Sequence, residues 1–426
     1  MFTATTEELF SAALLLPASE RDGFLQRACG AEREQQVQIR DLLEAVSPAA
    51  GFIREQHPAS PGDGAGDCID GYRLVQELGE GGGGVVYLAE QLKPLRREVA
   101  LKIIKLGMDT RAVINRFDGE RQALAMMDHP NIAQVFDAGA TPTGRPYFVM
   151  ELVRGIKITE YCNLCRLTIE ERLELFIQVC NAIEHAHQKS VVHRDIKPSN
   201  VLVTLHGGAA LAKVIDFGVA KATQGRLTDE TLLTLVDQFI GTPAYVSPEQ
   251  TELGSGNVDT RSDIYSLGIL LYELLTGCTP LDARELSGAT LEEVRRRIRE
   301  DTPLRPSRRL QAHERISEMS VRYRASIPRL IQQVRGDLDW IVMRSLDKDK
   351  ARRYRSASDL KADLERYLKK EPVLARPPSV AYAFRKFAER NRIVFVTISI
   401  AMSALLIATG VSTWQAVRAT QAEKLS

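Results

Sequence analysis

Six cysteines at irregular positions in 426 residues are too few and too scattered for the disulfide framework of a small secreted domain, so reduced thiols are expected. Cys162 and Cys165 form a C-x-x-C, but no second pair and no neighbouring histidine completes a zinc set, and coincidence is the simplest reading. Excess charge of either sign is also missing, with 56 Lys and Arg against 55 Asp and Glu. That balance supplies no broad field for nucleic acid, and no nucleic-acid partner is expected. The amino terminus has Glu7 and Glu8 where an export signal needs positive charge, and its apolar run from Ala12 to Leu16 is short and stopped by Pro17, so no cleaved signal is predicted. What the chain does have is a 44% hydrophobic, 26% charged composition, near the average for soluble globular domains. At this length it can bury at least one large core and has segments to spare.

The pattern of apolar positions divides the chain. Residues 1–55 place Leu9, Phe10, Ala13, Leu14, Phe24, Leu25, Ile39, Leu42 and Leu43 at helix-like spacing, which predicts a small helical element. Residues 56–71 read as a linker, since His57 to Asp67 is dense in Pro, Gly, Ala and Asp with nothing periodic to pack. From Tyr72 to about Val153, strand-like runs predominate: Tyr72 to Glu77, Val85 to Glu90, Glu98 to Ile104 and Tyr147 to Leu152, with one helix-like stretch around Glu120. Helical stretches then take over, such as Ile169 to His187 and Asp263 to Leu275. A strand-rich part followed by a helix-rich part predicts an α+β architecture of two lobes. Near the end, Ile393 to Trp414 carries no charged residue and at ~1.5 Å per residue is long enough to cross a hydrocarbon core of roughly 30 Å.

The chemistry is concentrated in the middle. Leu78-Gly79-Glu80-Gly81-Gly82-Gly83-Gly84-Val85-Val86-Tyr87 contains G-x-G-x-x-G-x-V. A dinucleotide site needs a helix after the glycines, whereas Val85 opens a strand-like run, so the segment reads as a strand-turn-strand flap over nucleotide phosphates. Glycine lets backbone N–H groups approach phosphate oxygens with no Cβ in the way. Gly82 and Gly83 fill variable positions of that pattern, which predicts a mobile flap. Val99-Ala100-Leu101-Lys102 follows after one short strand, giving Lys102 the position of a point charge for phosphates. Glu120 precedes Leu124 and Met127 by four and seven residues, so its carboxylate is able to face inward and hold Lys102; the bland alternative is a solvated helix charge. His193-Arg194-Asp195-Ile196-Lys197-Pro198-Ser199-Asn200 matches H-R-D-L-x-x-x-N except at Ile196, and Asp216-Phe217-Gly218 follows after strand-like runs Val201 to Thr204 and Ala212 to Ile215.

On these motifs, residues 72 to about 368 resemble the eukaryotic-type protein serine/threonine kinases, and the general layout of the chain, a short helical leader, a kinase and one apolar span, is similar to that of the bacterial receptor-like, membrane-anchored type. The resemblance implies a two-lobed kinase fold with a β-rich N-lobe and a helical C-lobe, and use of ATP and Mg²⁺. It implies that Asp195 orients a substrate hydroxyl and accepts its proton, that Asn200 and Asp216 hold Mg²⁺, and that Lys197 steadies the transferring phosphoryl group. Lys197 in that place points to Ser and Thr of protein substrates rather than Tyr. The nucleotide is expected against Leu78 to Val86, Ala100, Lys102, Met150 and Glu151, with the backbone of Met150-Glu151-Leu152-Val153 on the adenine. Gly241-Thr242-Pro243 and Ser247-Pro248-Glu249 continue the likeness, the latter departing from A-P-E at Ser247. In the family Glu249 pairs with a distant arginine, for which Arg353 is the candidate, and Asp263 would brace the catalytic loop.

Thr223, Thr228, Thr231, Thr234 and Thr242 lie in a stretch resembling an activation loop, where a phosphate would pair with Arg194. Autophosphorylation is expected on Thr231 or Thr234, within a homodimer. Arg376, Arg385, Lys386, Arg390 and Arg392 precede the apolar run, and only Arg418 and Lys424 follow it. That asymmetry predicts a basic juxtamembrane segment (369–392), one membrane helix (393–414) and a short extracytoplasmic tail (415–426), with the kinase domain (72–368) cytosolic on the inner membrane. A pseudokinase and a small-molecule kinase are the competing readings. Competent residues at every catalytic position weigh against the first, and Lys197 together with Thr242 and Glu249 weighs against the second.

Overall fold

The computed structural model describes residues 33–46, 66–81, 84–104, 126–207, 209–217, 243–251, 258–281, 290–312, 323 and 325–423, together with Thr6, Leu9, Phe10, Ala13 and Leu25. It divides into two units, Met1–Ala362 and Asp363–Ser426.

In the first unit, α1 (Arg33–Val46) buries Ile39, Leu42 and Leu43, one stripe at i, i+3 and i+4. Leu9, Phe10, Ala13 and Leu25 are buried as the apolar spacing predicts. Alternation then builds an antiparallel six-stranded sheet from β1 (Cys68–Ile69), β2 (Tyr72–Gly81), β3 (Gly84–Gln91), β4 (Arg97–Ile104), β5 (Val135–Ala140) and β6 (Pro146–Glu151), in the order β1-β2-β3-β4-β6-β5. Along β4, Val99, Leu101 and Ile103 join Leu74, Tyr87 and Val149 in one apolar core. Ala100 and Lys102 consequently fall on the other face, opposite Met150 and Phe148 of β6. The sheet begins earlier than the linker reading allows. Cys68 and Ile69 pair with β2, and Leu74 exchanges backbone hydrogen bonds with Gly66 and Asp67; the short Cys-Ile pair is too brief to show an alternation of its own.

A small second sheet, β7 (Ile156–Lys157), β8 (Val201–His206) and β9 (Ala209–Val214), carries the segments bearing Asp195 and Asp216 on either side of one hairpin. Helices α2 (Ile158–Leu164) and α3 (Ile169–Gln188) adjoin it in sequence. Thr168 and Glu171 form a capping box that starts α3, an arrangement that satisfies two otherwise orphaned N–H groups. Helix α4 (Thr260–Thr276) starts on an Asp259 cap, ends on left-handed Gly277 and is buried on nearly every side. Mid-helix Gly268 has a packing reason, because a Cβ there would lie 2.6 Å from the Ser345 Cβ, so the glycine lets the segment ending at Ser345 approach α4 closely. Helices α5 (Leu291–Glu300), α6 (Pro306–Gln311), α7 (Ile327–Val334), α8 (Asp337–Ser345) and α9 (Ala357–Leu368) complete the helical part.

The second unit begins within α9. Asp363 accepts the backbone N–H groups of Leu374 and Ala375, at 2.8 Å each, and a short helix α10 (Val380–Arg390) precedes α11 (Arg392–Glu423). Helix α11 contains the predicted apolar run but continues beyond it through Glu423, because Gln415 to Glu423 has neither Pro nor Gly to stop it. The side chains from Thr397 to Gln415 are exposed.

Candidate active site

The hairpin of β2 and β3 puts Leu78, Gly79, Glu80 and Gly81 on one strand and Gly84, Val85 and Val86 on the other, with Gly81 opposite Gly84. Gly82 and Gly83, and the mobility expected of them, lie outside the described residues. The glycines serve different ends. At Gly84, φ is +143° and a Cβ would come 2.1 Å from the Ile103 carbonyl oxygen, so the sheet itself requires glycine. A Cβ on Gly79 or Gly81 would meet nothing within 4 Å. Neither packing nor backbone requires glycine at these two, and that leaves open space over the hairpin for an anion to approach the amides.

Val86 faces Lys102 across the β3–β4 ladder, and Phe148 faces it from β6. The Lys102 ammonium, buried, forms an ion pair with the Asp216 carboxylate. Glu120, the partner expected from the sequence, lies outside the described residues. A small cavity behind the pair is lined by Ile104, Ala133, Val135, Phe148, Met150 and Phe217. Glu151, next to Met150, takes both carboxylate oxygens to Lys213 at 2.7 Å.

On β8's approach, Asp195 is held from several directions. Lys197 Nζ lies 2.9 Å from its Oδ2, and Asn200 Nδ2 donates to the same oxygen at 3.0 Å and to the Asp195 carbonyl at 2.8 Å. The Asp195 N–H donates to His193 Nδ1 at 3.3 Å, leaving Nε2 to donate to the Ile215 carbonyl at 3.3 Å. Those two roles describe a neutral imidazole. Burial drives His193 below its ordinary pKa, against the pull of Asp263, Asp195 and Asp216. Ile215 also donates its N–H to the Asn200 carbonyl at 2.9 Å, which sets Asn200 beside the segment carrying Asp216. Asp263 accepts the N–H groups of His193 and Arg194 at 2.8 Å on its two oxygens, and His187 reaches it at 2.8 Å.

Two residues here have left-handed backbones that are unusual for non-glycine types: Arg194 at φ 63° and Asp216 at φ 59°. Each such conformation costs about 1–3 kcal/mol and persists only where the surroundings enforce it. Below the site, Arg353 meets Glu249 through two hydrogen bonds of 2.8 Å, and Ser262 adds a third at 2.6 Å. Burial alone would raise the Glu249 carboxyl; the Arg353 hydrogen bonds and charge outweigh it and hold the group below its ordinary value.

The site therefore combines a flap with open backbone, a cation on a carboxylate, and a second carboxylate fixed between a lysine and an amide. The sequence model of the protein kinase domain matches residues 72–358. The chain belongs to the protein kinase family. Among relatives, the serine/threonine-protein kinase PknB of Mycobacterium leprae (strain TN) is 34% identical over 309 residues, covering 71% of this chain and 44% of the relative. The serine/threonine-protein kinase PrkC of Bacillus subtilis (strain 168) is 34% identical over 296 residues, covering 69% and 40%. Pkn1 of Myxococcus xanthus is 36% identical over 268 residues, covering 61% and 37%. The chain thus spans less than half the length of these curated relatives. The kinase domain of Mycobacterium tuberculosis PknI, a crystal structure, has the same fold with a TM-score of 0.50 and 24% identity, covering 72% of this chain and 98% of that one. Membership implies ATP and a divalent metal.

Lys213 was not singled out from the sequence. Its signal is visible in retrospect, since Ala209–Val214 is otherwise apolar and Lys213 is its one charge, three residues before Asp216. Asp263 and Arg353 were anticipated only through the family resemblance. Thr223, Thr228, Thr231, Thr234 and Thr242 lie outside the described residues.

Proposed function

We propose that this chain is an ATP-dependent protein kinase that transfers the γ-phosphoryl group to Ser and Thr hydroxyls of proteins, its own included. The observation that carries the reading is Asp195, its carboxylate gripped by Lys197 and Asn200 and its backbone N–H tied through His193 to Ile215, in the segment bearing Asp216. Asp195 orients the attacking hydroxyl and takes its proton, a contribution worth roughly 10²- to 10⁴-fold in rate. Lys197, already at the carboxylate, offsets charge on the transferring group. Lys102 contributes a point charge to the phosphates and is drawn from Asp216 as they arrive.

The donor set suits Mg²⁺. Asn200 spends its amide nitrogen on Asp195, and its oxygen, which accepts the Ser199 hydroxyl at 3.3 Å, keeps a second lone pair for a metal beside the Asp216 carboxylate; Mg²⁺ takes one or two such protein oxygens plus phosphate and water. A Mg²⁺ held there would neutralise charge on the phosphates. The buried Nε of Arg194 has no hydrogen-bond partner among the described residues, which favours a phosphate on Thr231 or Thr234 as its eventual partner. Finding neither threonine modified by mass spectrometry after incubation with ATP would remove that part of the reading. Exposure of the apolar side chains along α11 and the basic excess before it support a single membrane span with the kinase on the cytosolic side.

Label transfer from γ-labelled ATP to a generic basic protein, with phosphoamino-acid analysis, tests the activity. The native chain is expected to label Ser and Thr, and Asp195→Asn to lose at least roughly 10²-fold. A native chain that binds nucleotide and labels no protein would establish a binding module instead.

A further inference from the structure

Helix α10 presents two different faces. Tyr382 and Lys386, four residues apart, are buried, with the Tyr382 hydroxyl accepting the Val373 N–H at 3.1 Å and the Lys386 ammonium 5.9 Å from the Tyr367 ring. Val380, Ala383, Phe384 and Phe387, at i, i+3, i+4 and i+7, form a stripe that faces outward. Val380 is 89% exposed, Phe384 60% and Phe387 49%, a concentration of large apolar side chains that a soluble surface seldom carries. The stripe is one wall of an open groove of about 440 Å³ that Lys370, Lys386 and Arg390 also line, Arg390 in an exposed 3.3 Å pair with Glu371 that a phosphate would compete for, and the volume is within the ~300–1,000 Å³ typical of ligand sites.

We infer that this groove seats an anionic phospholipid of the cytosolic leaflet, its acyl chain along the Val380–Phe387 stripe and its phosphate at Lys370 and Arg390. The inference rests on the membrane reading of α11. Position argues for lipid over other occupants: Asn391 alone separates α10 from α11, so a spanning α11 holds α10 at headgroup level. Charge argues the same way. Between 369 and 392 the chain carries Lys369, Lys370, Arg376, Arg385, Lys386, Arg390 and Arg392 against Glu371 and Glu389, and basic residues near an anionic surface are attracted to it. Apolar and cationic groups on one short helix are the combination that lies in the interface plane.

The two tryptophans of the chain, Trp340 and Trp414, make the two readings separable. The full chain is reconstituted in vesicles of phosphatidylcholine, with or without phosphatidylglycerol, and with lipids brominated on the acyl chain as contact quenchers. Quenching of Trp414 reports the span, and a Phe384→Trp variant, compared with the native chain, reports the groove. Expected are quenching at both positions, stronger at 384 when phosphatidylglycerol is present, and loss of that increment in Phe384→Trp combined with Lys370→Glu. If Trp414 is quenched while Trp at 384 stays open to aqueous acrylamide, the groove faces water and the inference fails alone. If Trp at 384 is shielded from both quenchers, a protein surface covers it, and the inference fails as well. An unquenched Trp414 removes the span and the inference with it.

Discussion

The Glu249–Arg353 pair offers a quantitative test of how the helical part is held. Both side chains are withdrawn from water, at 0% exposure for Arg353 and 9% for Glu249, and the guanidinium also donates to the carbonyls of Asp347, Arg261 and Lys348. Arg353→Met keeps much of the volume but strands the carboxylate. Breaking a buried pair from one side costs about 3–5 kcal/mol, because the remaining charge is uncompensated. At ~2–4 °C per kcal/mol for a large domain, the melting temperature should fall by roughly 6–20 °C. Adding Glu249→Gln to Arg353→Met should recover part of the loss, since the stranded charge is gone, and the double-mutant cycle should show the two sites strongly coupled. The pH dependence has a definite sign. Glu249 sits below its ordinary 4.5 in the folded chain, so the stability it contributes is full above that value and is lost as pH falls through the lower, folded one. Without Arg353, burial is opposed only by the Ser262 and backbone hydrogen bonds and the carboxyl rises, so the variant's deficit should narrow on acidification from neutrality. Thermal unfolding of native and variant chains across pH measures all of this. A deficit under about 1 kcal/mol at neutral pH, the worth of an exposed pair, would refute the reasoning.

The glycines of the hairpin should separate by substitution. Gly84→Ala meets both the Ile103 carbonyl at 2.1 Å and a φ of +143°, so unfolding should show a loss of at least ~1–3 kcal/mol; Gly81→Ala should leave stability unchanged and raise KM for ATP. Equal effects of the two changes on unfolding would contradict the division of roles. Lys348 donates to the Ile298 carbonyl at 2.6 Å, and burial pushes its pKa down to about 8 from 10.5. The folded chain therefore disfavours its proton, and the native chain should gain stability relative to Lys348→Met as pH rises from about 8 toward 10.5. A difference that stays flat over that window would count against the assignment.

What was legible in the sequence had local causes. Alternation in Val99 to Ile103 marks β4 because one face packs on Leu74 and Tyr87, and it also tells which way Lys102 points. The spacing of Asp195, Lys197 and Asn200 was legible because one tight turn, Pro198–Asn200, brings them together. Pairings across long separations were not legible from the residues themselves. Nothing in the sequence around Glu249 indicates a partner 104 residues away, nor around Glu151 one that is 62 residues on; only the family likeness suggested the first, and nothing suggested the second. Cys68 and Ile69 were hidden in a Gly- and Asp-rich stretch because two residues cannot display a period. Helix α11 overran its apolar stretch because polarity sets where a membrane ends, and hydrogen bonding sets where a helix does.

Lys102, Asp195, Asn200 and Asp216 should share one metal–nucleotide site, and calorimetric titration of the chain with an ATP analogue, with and without Mg²⁺, measures that most directly. The native chain should bind one equivalent, more tightly with Mg²⁺, and Asn200→Ala and Asp216→Asn should each lose the metal-dependent gain. Absence of binding, or a metal-dependent gain of the same size in both variants, would contradict the convergence on which the assignment stands.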